Sequence, residues 1–264
     1  MAASASFLDR LTLRARMQVD SSISRAPGEA PAEFFEKIWA LLPVLRDVNR
    51  VGAGPGGCFL KGQALPVSWA LRHWIRPPGI LREVEALGWL RQQGVPVPRV
   101  LGFGTLRRCG VLRRSLLLLE QMRDAQDLAQ RLERRENPAS RRQLLQAVGR
   151  ALARMHSLSF YHRNLSARNL LVRDAASGPE IFIIDCPRAE WGRFGPRTAF
   201  LRRADRLNVA RSVLRCGVGD REVRGLLEAM GADEVERIVG FARDSIRSKR
   251  SRPLRLRAWL ILGI

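Results

Sequence analysis

The chain has 264 residues, of which 46% are hydrophobic and 27% are charged, and this near-average composition excludes a chain that is disordered throughout. Its charge is unusual, because 46 basic residues stand against 25 acidic ones and give a formal net charge of +21. Only three of the basic residues are lysines, so 43 are arginines. A GC-rich genome accounts for this bias without any function. An anionic partner, such as nucleic acid, a phosphorylated glycolipid or the cytoplasmic face of a membrane, accounts for it functionally.

The four cysteines lie far apart and form no C-x-x-C pair, and the three histidines are dispersed. This pattern disfavours a zinc site and a disulfide framework, and it fits a reduced cytoplasmic setting. The first twenty residues hold no apolar run long enough for a signal peptide. No stretch approaches the ~18–20 apolar residues of a membrane-spanning helix. We therefore expect a cytoplasmic protein that is soluble or peripheral to the inner membrane.

The first thirty residues are polar and rich in small side chains, and we interpret residues 1–30 as an N-terminal tail. Residues 34–45 have the spacing of an amphipathic helix. Four apolar residues share one face of that helix: Phe34, Ile38, Leu41 and Leu42.

A glycine-rich segment, residues 51–57, precedes a short strand over residues 58–63. Gly52, Gly54 and Gly57 satisfy the spacing G-x-G-x-x-G, but no helix pattern follows, as a dinucleotide-binding loop requires. Two interpretations stay open. The segment either covers phosphates as a kinase-type loop, or it is a plain hairpin turn.

Four further elements follow in chain order. A helix starts at Leu81 and ends at Gly94, and the extended segment 95–104 comes next, its prolines confining it to a sheet edge or a lead-in. Residues 115–122 predict a buried strand followed by polar residues. The helix over 140–157 has the clearest pattern. The apolar faces of the two helices are Leu81, Val84, Leu87 and Leu90, and then Leu144, Val148, Leu152 and Met155.

Two apolar runs in the second half of the chain, residues 170–172 and 181–184, are separated by a turn that contains Gly178 and Pro179. They predict a β-hairpin. Asn169 immediately precedes the first strand and Asp185 immediately follows the second, so antiparallel pairing brings an amide oxygen and a carboxylate to one edge. Oxygen ligands in this arrangement suit Mg²⁺ that holds a nucleotide phosphate.

This stretch resembles the catalytic segment of protein-kinase-like enzymes, H-R-D-L-x-x-x-N followed by an Asp after the second strand. Here the segment consists of His162, Arg163, Asn164 and Leu165, then Asn169 and Asp185. Within that superfamily the chain most resembles the bacterial lipopolysaccharide core kinases, which phosphorylate heptose. Four segments between about 58 and 215 carry the likeness: CFLKGQ, WALRHWIRPPGILREVEAL, RSLLLLEQM and RRADRLNVARS.

The resemblance implies a bilobal α+β protein-kinase-like fold, with a small antiparallel-sheet lobe over 31–122 and a mostly helical lobe over 123–264. It also implies that Lys61 contacts the α- and β-phosphates of ATP, held by a salt bridge from Glu83. The helical spacing of Glu83 from Leu87 places its carboxylate at the border of the apolar face, so we expect it to point inward.

The remaining site assignments also follow from the resemblance. Adenine would meet the backbone of the hinge, which consists of Glu120, Gln121 and Met122. Asn169 and Asp185 would bind Mg²⁺. His162 would orient the loop through hydrogen bonds, and Asp205 would be a buried carboxylate that ties the loop's backbone to a helix.

Asn164 departs from the family pattern, because it stands where the catalytic aspartate is expected. An amide accepts a hydrogen bond from an acceptor hydroxyl but does not take its proton at neutral pH. General-base catalysis supplies roughly 10²–10⁴ in rate, whereas phosphoryl transfer depends mainly on positioning and electrostatics. We therefore expect impaired turnover at this site rather than certain loss.

These observations leave four candidate functions. The first is ATP-dependent phosphoryl transfer to a sugar hydroxyl of lipopolysaccharide core or a related anionic phosphoglycolipid. The second is a pseudokinase that binds nucleotide or acts as a scaffold. A small-molecule kinase of the aminoglycoside-phosphotransferase type shares the expected layout. A nucleic-acid binder is disfavoured, because the chain has one Tyr and six scattered Trp and no aromatic stripe among its basic residues.

Overall fold

The fold is α+β, with antiparallel sheets and seven helices among the described residues of a computed structural model. The structure describes residues 13–19, 30–41, 49–54, 57–65, 79–109, 111–134, 137–192 and 195–247. The chain divides into two compact units. The first consists of Met1–Gly88 and Pro98–Met122, and the second of Trp89–Val97 and Arg123–Ile264.

A five-stranded antiparallel sheet in the order β1-β4-β5-β3-β2 forms the first unit. Its strands are β1 (Leu13–Val19), β2 (Asn49–Gly54), β3 (Cys58–Ala64), β4 (Val100–Arg108) and β5 (Val111–Glu120). Helix α1 (Pro31–Ala40) packs on this sheet, and helix α2 (Gly79–Gln92) begins in the same unit. The core of the unit lies between α1 and the buried face of β3 and β5, where Phe35 of α1 meets Leu60, Leu116 and Leu118.

Strand β3 shows the alternation that a sheet imposes on its side chains. Cys58 and Leu60 are buried in the core against α1, whereas Phe59, which is 41% exposed, and the half-buried Lys61 fall on the other face. The predicted strand is therefore confirmed, and its period places Lys61 away from the apolar core.

Two expectations for the N-terminal region are wrong. Residues 1–30 are not all tail, because β1 adds an edge strand beside β4. The helix expected over 34–45 ends at Ala40, and Leu41, at its C-cap, is 51% exposed. The buried face of α1 instead consists of Phe34, Phe35, Ile38 and Trp39. Leu42 lies outside the described residues.

The second unit combines small sheets with most of the helices. Its three-stranded sheet has the order β6-β8-β9, and β7 pairs with β10. The strands are β6 (Ala125–Asp127), β7 (Phe160–Tyr161), β8 (Leu170–Ala175), β9 (Gly178–Ile183) and β10 (Glu190–Trp191). The helices are α3 (Leu128–Glu133), α4 (Pro138–Ser157), α5 (Pro196–Arg215), α6 (Asp220–Ala229) and α7 (Val235–Arg247).

Helix α4 confirms the clearest helix prediction. Asn137 caps its N-terminus by accepting a hydrogen bond from the Ala139 N–H. Pro138 occupies the first turn, where a backbone N–H would have no partner within the helix, so the N–H that proline lacks is not needed. The buried stripe includes all four predicted residues, Leu144, Val148, Leu152 and Met155.

Helix α2 buries a face that differs from the predicted one. Leu87 and Leu90 are buried as expected, but Leu81 and Val84 are only half-buried. Ile80, Glu83 and Ala86 take their places in the interior. The inward position of the Glu83 carboxylate was expected, whereas the burial of Ile80 and Ala86 in place of Leu81 and Val84 was not.

The segment Trp89–Val97 belongs to the second unit, although its residue numbers lie within the expected small lobe. Trp89 stacks on Phe160 with ring centroids 5.7 Å apart. The Pro96 carbonyl accepts a hydrogen bond from the Ile183 N–H at 3.2 Å. These contacts explain why the end of α2 and the extended segment after it group with β7 and β9.

Among the described residues, no helix has the length and apolar character needed to cross a membrane.

Candidate active site

The first unit holds an ion pair between Lys61 and Glu83. Lys61 Nζ lies 2.7 Å from Glu83 Oε2, and the two side chains are 19% and 1% exposed. A carboxylate this deeply buried needs a charged or hydrogen-bonded partner, because burial removes its hydration. The inward orientation and the salt bridge expected for Glu83 are both present.

The glycine-rich segment belongs to a hairpin in the first unit. In the β2–β3 pairing, Gly52 lies opposite Leu60 and Gly54 opposite Cys58. Gly57, just before β3, has φ +71°, a left-handed conformation that glycine adopts without strain. The segment therefore leads directly into the strand of Lys61, with no further strand between them.

The expected hinge follows β5. Glu120 is its last residue, and its N–H donates to the Arg99 carbonyl at 2.9 Å. Gln121 is exposed and Met122 half-buried, both outside regular secondary structure. The chain enters the second unit directly after Met122.

In the second unit, the predicted hairpin is present as β8 and β9. Leu170 pairs with Ile183, and the next step of the ladder is a hydrogen bond from the Ile184 N–H to the Asn169 carbonyl at 3.1 Å. Antiparallel register thus brings Asn169 and Asp185 to the same edge, as the sequence pattern predicts. Asp185 has φ +59°, an uncommon conformation for a residue other than glycine.

Asn164 joins this edge through two hydrogen bonds. Its Nδ2 donates to Asp185 Oδ2 at 3.3 Å, and its carbonyl accepts from Asn169 Nδ2 at 2.8 Å. The three predicted side chains of this unit are therefore clustered. One N–H of each asparagine amide is used in this way, and both Oδ1 oxygens remain available to accept a hydrogen bond or to bind a metal ion.

Asp205 holds the loop over residues 162–169, which we call the catalytic loop. Its carboxylate is fully buried and accepts hydrogen bonds from the N–H groups of His162, at 2.7 Å, and Arg163, at 2.8 Å. Arg163 has φ +63°, a strained conformation that these bonds help to maintain. This is the role that the sequence predicted for Asp205.

His162 acts within the same loop as a hydrogen-bonding residue. Its Nδ1 accepts from the Asn164 N–H at 3.3 Å, so Nε2 carries the proton and donates to the Ile184 carbonyl at 2.9 Å. The ring thereby links Ile184, the residue before Asp185, to Asn164. Both nitrogens are occupied, which supports an orienting role.

His156 lies beneath the loop, with Nε2 3.4 Å from Asp205 Oδ2. Burial lowers the pKa of His156, and this effect outweighs the raising effect of the Asp205 carboxylate. The neutral imidazole therefore donates its Nε2–H to Asp205.

Two contacts of the catalytic loop were not predicted. Glu190 of β10, which is 7% exposed, pairs with Arg163 at 2.7 Å and with Arg197 at 3.0 Å. Ser212 of α5 accepts a hydrogen bond from the Ala167 N–H at 2.8 Å. Ser212 lies 45 residues from Ala167 in the chain, so no local pattern could have paired them.

The donor set at the hairpin edge fits Mg²⁺. An amide oxygen and a carboxylate are hard oxygen ligands, and Mg²⁺ in nucleotide sites takes few protein ligands and completes its shell with phosphate and water. Within the described ranges no group of three or more His, Cys, Asp or Glu residues is placed to hold a metal ion. The oxygen ligands at the hairpin edge therefore fit a metal ion that is also bound by phosphate better than a metal ion bound by protein ligands alone.

These features define a chain of the protein-kinase-like fold class, and comparison with solved structures agrees. The structure of WaaP in complex with acyl carrier protein matches with a TM-score of 0.62 and 20% identity, over 93% of this chain and 96% of that one. The lipopolysaccharide kinase (Kdo/WaaP) family matches residues 58–229, and the chain belongs to this family. The predicted resemblance is confirmed, and the lipopolysaccharide branch is favoured over the aminoglycoside-phosphotransferase group.

Curated relatives carry a more specific name. The 3-deoxy-D-manno-octulosonic acid kinase of Vibrio vulnificus is 34% identical over 152 residues, which is 58% of this chain and 58% of the relative. That of Mannheimia succiniciproducens is 31% identical over 103 residues, 39% of this chain and 42% of the relative. The chain spans about half the length of the curated relatives it matches. These relatives are named for an acidic sugar, whereas the family resemblance seen in the sequence named heptose kinases.

Proposed function

We propose that this protein is an ATP-dependent kinase that phosphorylates a hydroxyl of an acidic sugar in lipopolysaccharide core, with 3-deoxy-D-manno-octulosonic acid (Kdo) as the first acceptor to test. The observation that carries the proposal is the ion pair of Lys61 with the buried Glu83. Active protein-kinase-like enzymes need this pair to hold the nucleotide phosphates. A buried carboxylate that serves only packing would be replaced by an apolar residue at little cost.

In the first unit, Lys61 contacts the α- and β-phosphates of ATP, and Glu83 sets the position of its ammonium group. The backbone of Glu120, Gln121 and Met122 contacts the adenine. The short ion-pair distance and the burial of Glu83 keep Lys61 oriented before ATP binds. Such preorganisation lowers the cost of binding.

In the second unit, Asn169 and Asp185 hold Mg²⁺, which neutralises charge on the phosphate oxygens when it is bound. Asn164 Oδ1 accepts a hydrogen bond from the attacking hydroxyl, because Asn164 Nδ2 is turned toward Asp185. The amide positions the hydroxyl but does not remove its proton. We infer that turnover is slow for a kinase and depends on positioning and electrostatics.

A second candidate, a pseudokinase that binds nucleotide or acts as a scaffold, is favoured by the same residue, Asn164. The two candidates share nucleotide binding and differ in transfer. Retention of both oxygen ligands, Asn169 and Asp185, supports at least Mg²⁺-dependent nucleotide binding in either case.

We also propose that the protein works as a peripheral protein at the cytoplasmic leaflet of the inner membrane, where its charge of +21 would attract anionic lipid. Three arginines, Arg72, Arg76 and Arg114, are candidates for this contact, and the first two lie outside the described residues. Arg114 is already engaged, because it pairs with Glu36 at 2.7 Å and lies over the Trp39 ring. Binding to anionic vesicles that does not weaken between low and high salt would contradict this proposal.

Two measurements test the proposed function. Thermal unfolding with ATP, with and without Mg²⁺, should show stabilisation on the order of 2–3 kcal/mol at ATP near 100 times its Kd. Transfer of labelled phosphate to Kdo-bearing lipid A should then be slow but ATP-dependent. Nucleotide binding without transfer to any core sugar would favour the nucleotide-binding pseudokinase, and no nucleotide binding would refute the kinase and leave only the scaffold.

A further inference from the structure

A cavity of about 210 Å³ lies in the second unit beside the catalytic loop. Asn164, Leu165 and Ser166 of that loop line it. The rest of its lining comes from one helix, α5, through Asn208, Arg211, Ser212 and Arg215. These four positions are i, i+3, i+4 and i+7, so they form a single stripe on one face of the helix.

The cavity is positively charged. None of the described residues that line it is acidic. Arg211 and Arg215 are four residues apart on α5, a spacing at which like charges repel. Burial of the half-buried Arg211, together with the charge of Arg215, lowers the pKa of the Arg211 guanidinium. An anion in the cavity would relieve this repulsion.

Unused hydrogen-bond donors also face this region. Arg211 Nε is buried and has no hydrogen-bond partner among the described residues. Ser212 Oγ accepts from the Ala167 N–H, so its own hydroxyl proton remains to be donated. Two guanidinium groups and a hydroxyl are the donors that bind a carboxylate or phosphate, often with two parallel hydrogen bonds from one arginine.

The size and position of the cavity indicate which ligand enters it. About 210 Å³ is below the ~300–1,000 Å³ of pockets for drug-sized ligands, so it fits one acidic sugar or one phosphate group. Asn164, the residue in the base position, lines the cavity, whereas Asn169 and Asp185 do not. The cavity therefore adjoins Asn164 without including either proposed Mg²⁺ ligand in its lining.

We propose that this cavity is the acceptor subsite, in which Arg211 and Arg215 bind an oxyanion of the acceptor and thereby place its hydroxyl beside Asn164. The oxyanion is either the carboxylate of the acidic sugar or a phosphate of the glycolipid. The identity of the acceptor rests on the proposed function, but anion binding by the two arginines is testable without any phosphoryl transfer.

The experiment measures binding of Kdo, its neutral methyl ester and inorganic phosphate by ligand-observed NMR at millimolar concentration. Arg211→Gln and Arg215→Gln should each weaken Kdo binding about 10- to 100-fold, as loss of a charge-assisted hydrogen bond does. Arg211→Lys keeps the positive charge but loses the planar guanidinium that can donate two parallel hydrogen bonds, so it should bind Kdo more tightly than Arg211→Gln but more weakly than wild type. Arg150→Gln is the matched control, because Arg150 is an exposed arginine of α4 outside the cavity lining.

The probes separate the two sources of the anion. If the methyl ester binds wild type as weakly as Kdo binds the Arg211→Gln variant, the bound oxyanion is the carboxylate of the sugar. Equal binding of ester and acid, with phosphate binding lost in both glutamine variants, identifies a glycolipid phosphate. The proposal is overturned if no probe binds wild type, or if the two glutamine variants bind all probes as wild type does.

Failure of the subsite and failure of the proposed function have different signatures. Arginine-dependent Kdo binding without transfer leaves the subsite in place and refutes the kinase. Transfer whose acceptor KM is the same in wild type, Arg211→Gln and Arg215→Gln supports the kinase and refutes the subsite. Arg215 is exposed, so its variant tests the proposal even if Arg211→Gln does not fold.

Discussion

Asn164→Asp separates an impaired kinase from a pseudokinase. The change is nearly isosteric and restores the carboxylate that the family pattern has at this position. If Asn164 holds the attacking hydroxyl, the new carboxylate acts as a general base, and phosphoryl transfer should rise about 10²-fold or more. The affinity for ATP should change little, because Lys61 and the metal ligands hold the nucleotide.

The structure also predicts a cost for this change. Asn164 Nδ2 now donates to Asp185 Oδ2 across 3.3 Å, and a carboxylate in its place would face a second carboxylate. Two unit charges at that distance repel by about 1.3 kcal/mol at the dielectric constant of water. Because Asn164 is exposed, this solvent-screened value applies, and a loss of about 1 kcal/mol lowers Tm by roughly 2–4 °C. Mg²⁺ should remove the repulsion, so the variant should gain more stability from Mg²⁺ than wild type.

The assay is single-turnover transfer from saturating Mg-ATP to Kdo-bearing lipid A, alongside thermal unfolding with and without Mg²⁺. Asn137→Asp is the matched control, since it makes the same substitution at the exposed N-cap of α4, where aspartate caps as well as asparagine, and it should not raise the rate. If Asn164→Asp binds Mg-ATP normally but does not transfer phosphate, the missing base is not the cause of the low activity, and the result favours a scaffold over a kinase. If wild type already turns over at a rate that the variant does not improve, Asn164 is not the base-position residue.

Three further predictions follow from the same contacts. Lys61→Met should abolish ATP binding and, by removing the ammonium group that pairs with the buried Glu83, lower the unfolding free energy by about 3 kcal/mol in urea titrations. Adding Glu83→Gln should restore part of the stability but not ATP binding. An unchanged single variant would contradict the role of the ion pair. Asp185→Asn, which tolerates the left-handed backbone, should remove most of the Mg²⁺-dependent thermal shift with ATP, whereas Asp174→Asn, at an exposed site on the same hairpin, should leave it intact. The lowered pKa of His156 means that the unfolded chain binds a proton that the folded chain does not, so stability should fall as pH drops below about 6.5; His156→Gln should flatten this dependence in thermal unfolding from pH 7.5 to 5, and an identical slope would refute the assignment.

Much of the candidate site could be predicted because its parts are local in the chain. Two apolar runs and a turn suffice to predict the β8–β9 hairpin, and antiparallel pairing alone then brings Asn169 and Asp185 to one edge. The helical spacing that relates Glu83 to Leu87 and Leu90 likewise predicts an inward carboxylate. Its partner, Lys61, needed the family resemblance, since no local rule joins residues 22 positions apart.

The elements that were missed depend on distant partners. The alternation of Leu13, Ala15, Met17 and Val19 has the period of a strand, but the polar residues around it favoured a tail. Pairing with β4, some ninety residues later, makes this segment an edge strand. Leu41 shows the converse case, because it continues the apolar pattern of α1 and yet lies exposed beyond the helix end.

By itself the sequence determined strands β3, β5, β8 and β9, helices α2 and α4, and the short-range edge of the site, because side-chain periodicity and turn residues act within a few positions. Only the tertiary structure decided what surrounds Asn164. Asp205 binds the loop's backbone from 42 and 43 residues away, and Ser212 of α5 binds it at Ala167. Buried N–H groups require acceptors wherever the fold supplies them. These long-range hydrogen bonds dock α5 on the loop and so place Arg211 and Arg215, which in sequence belong to one basic segment among many, in the same cavity lining as Asn164.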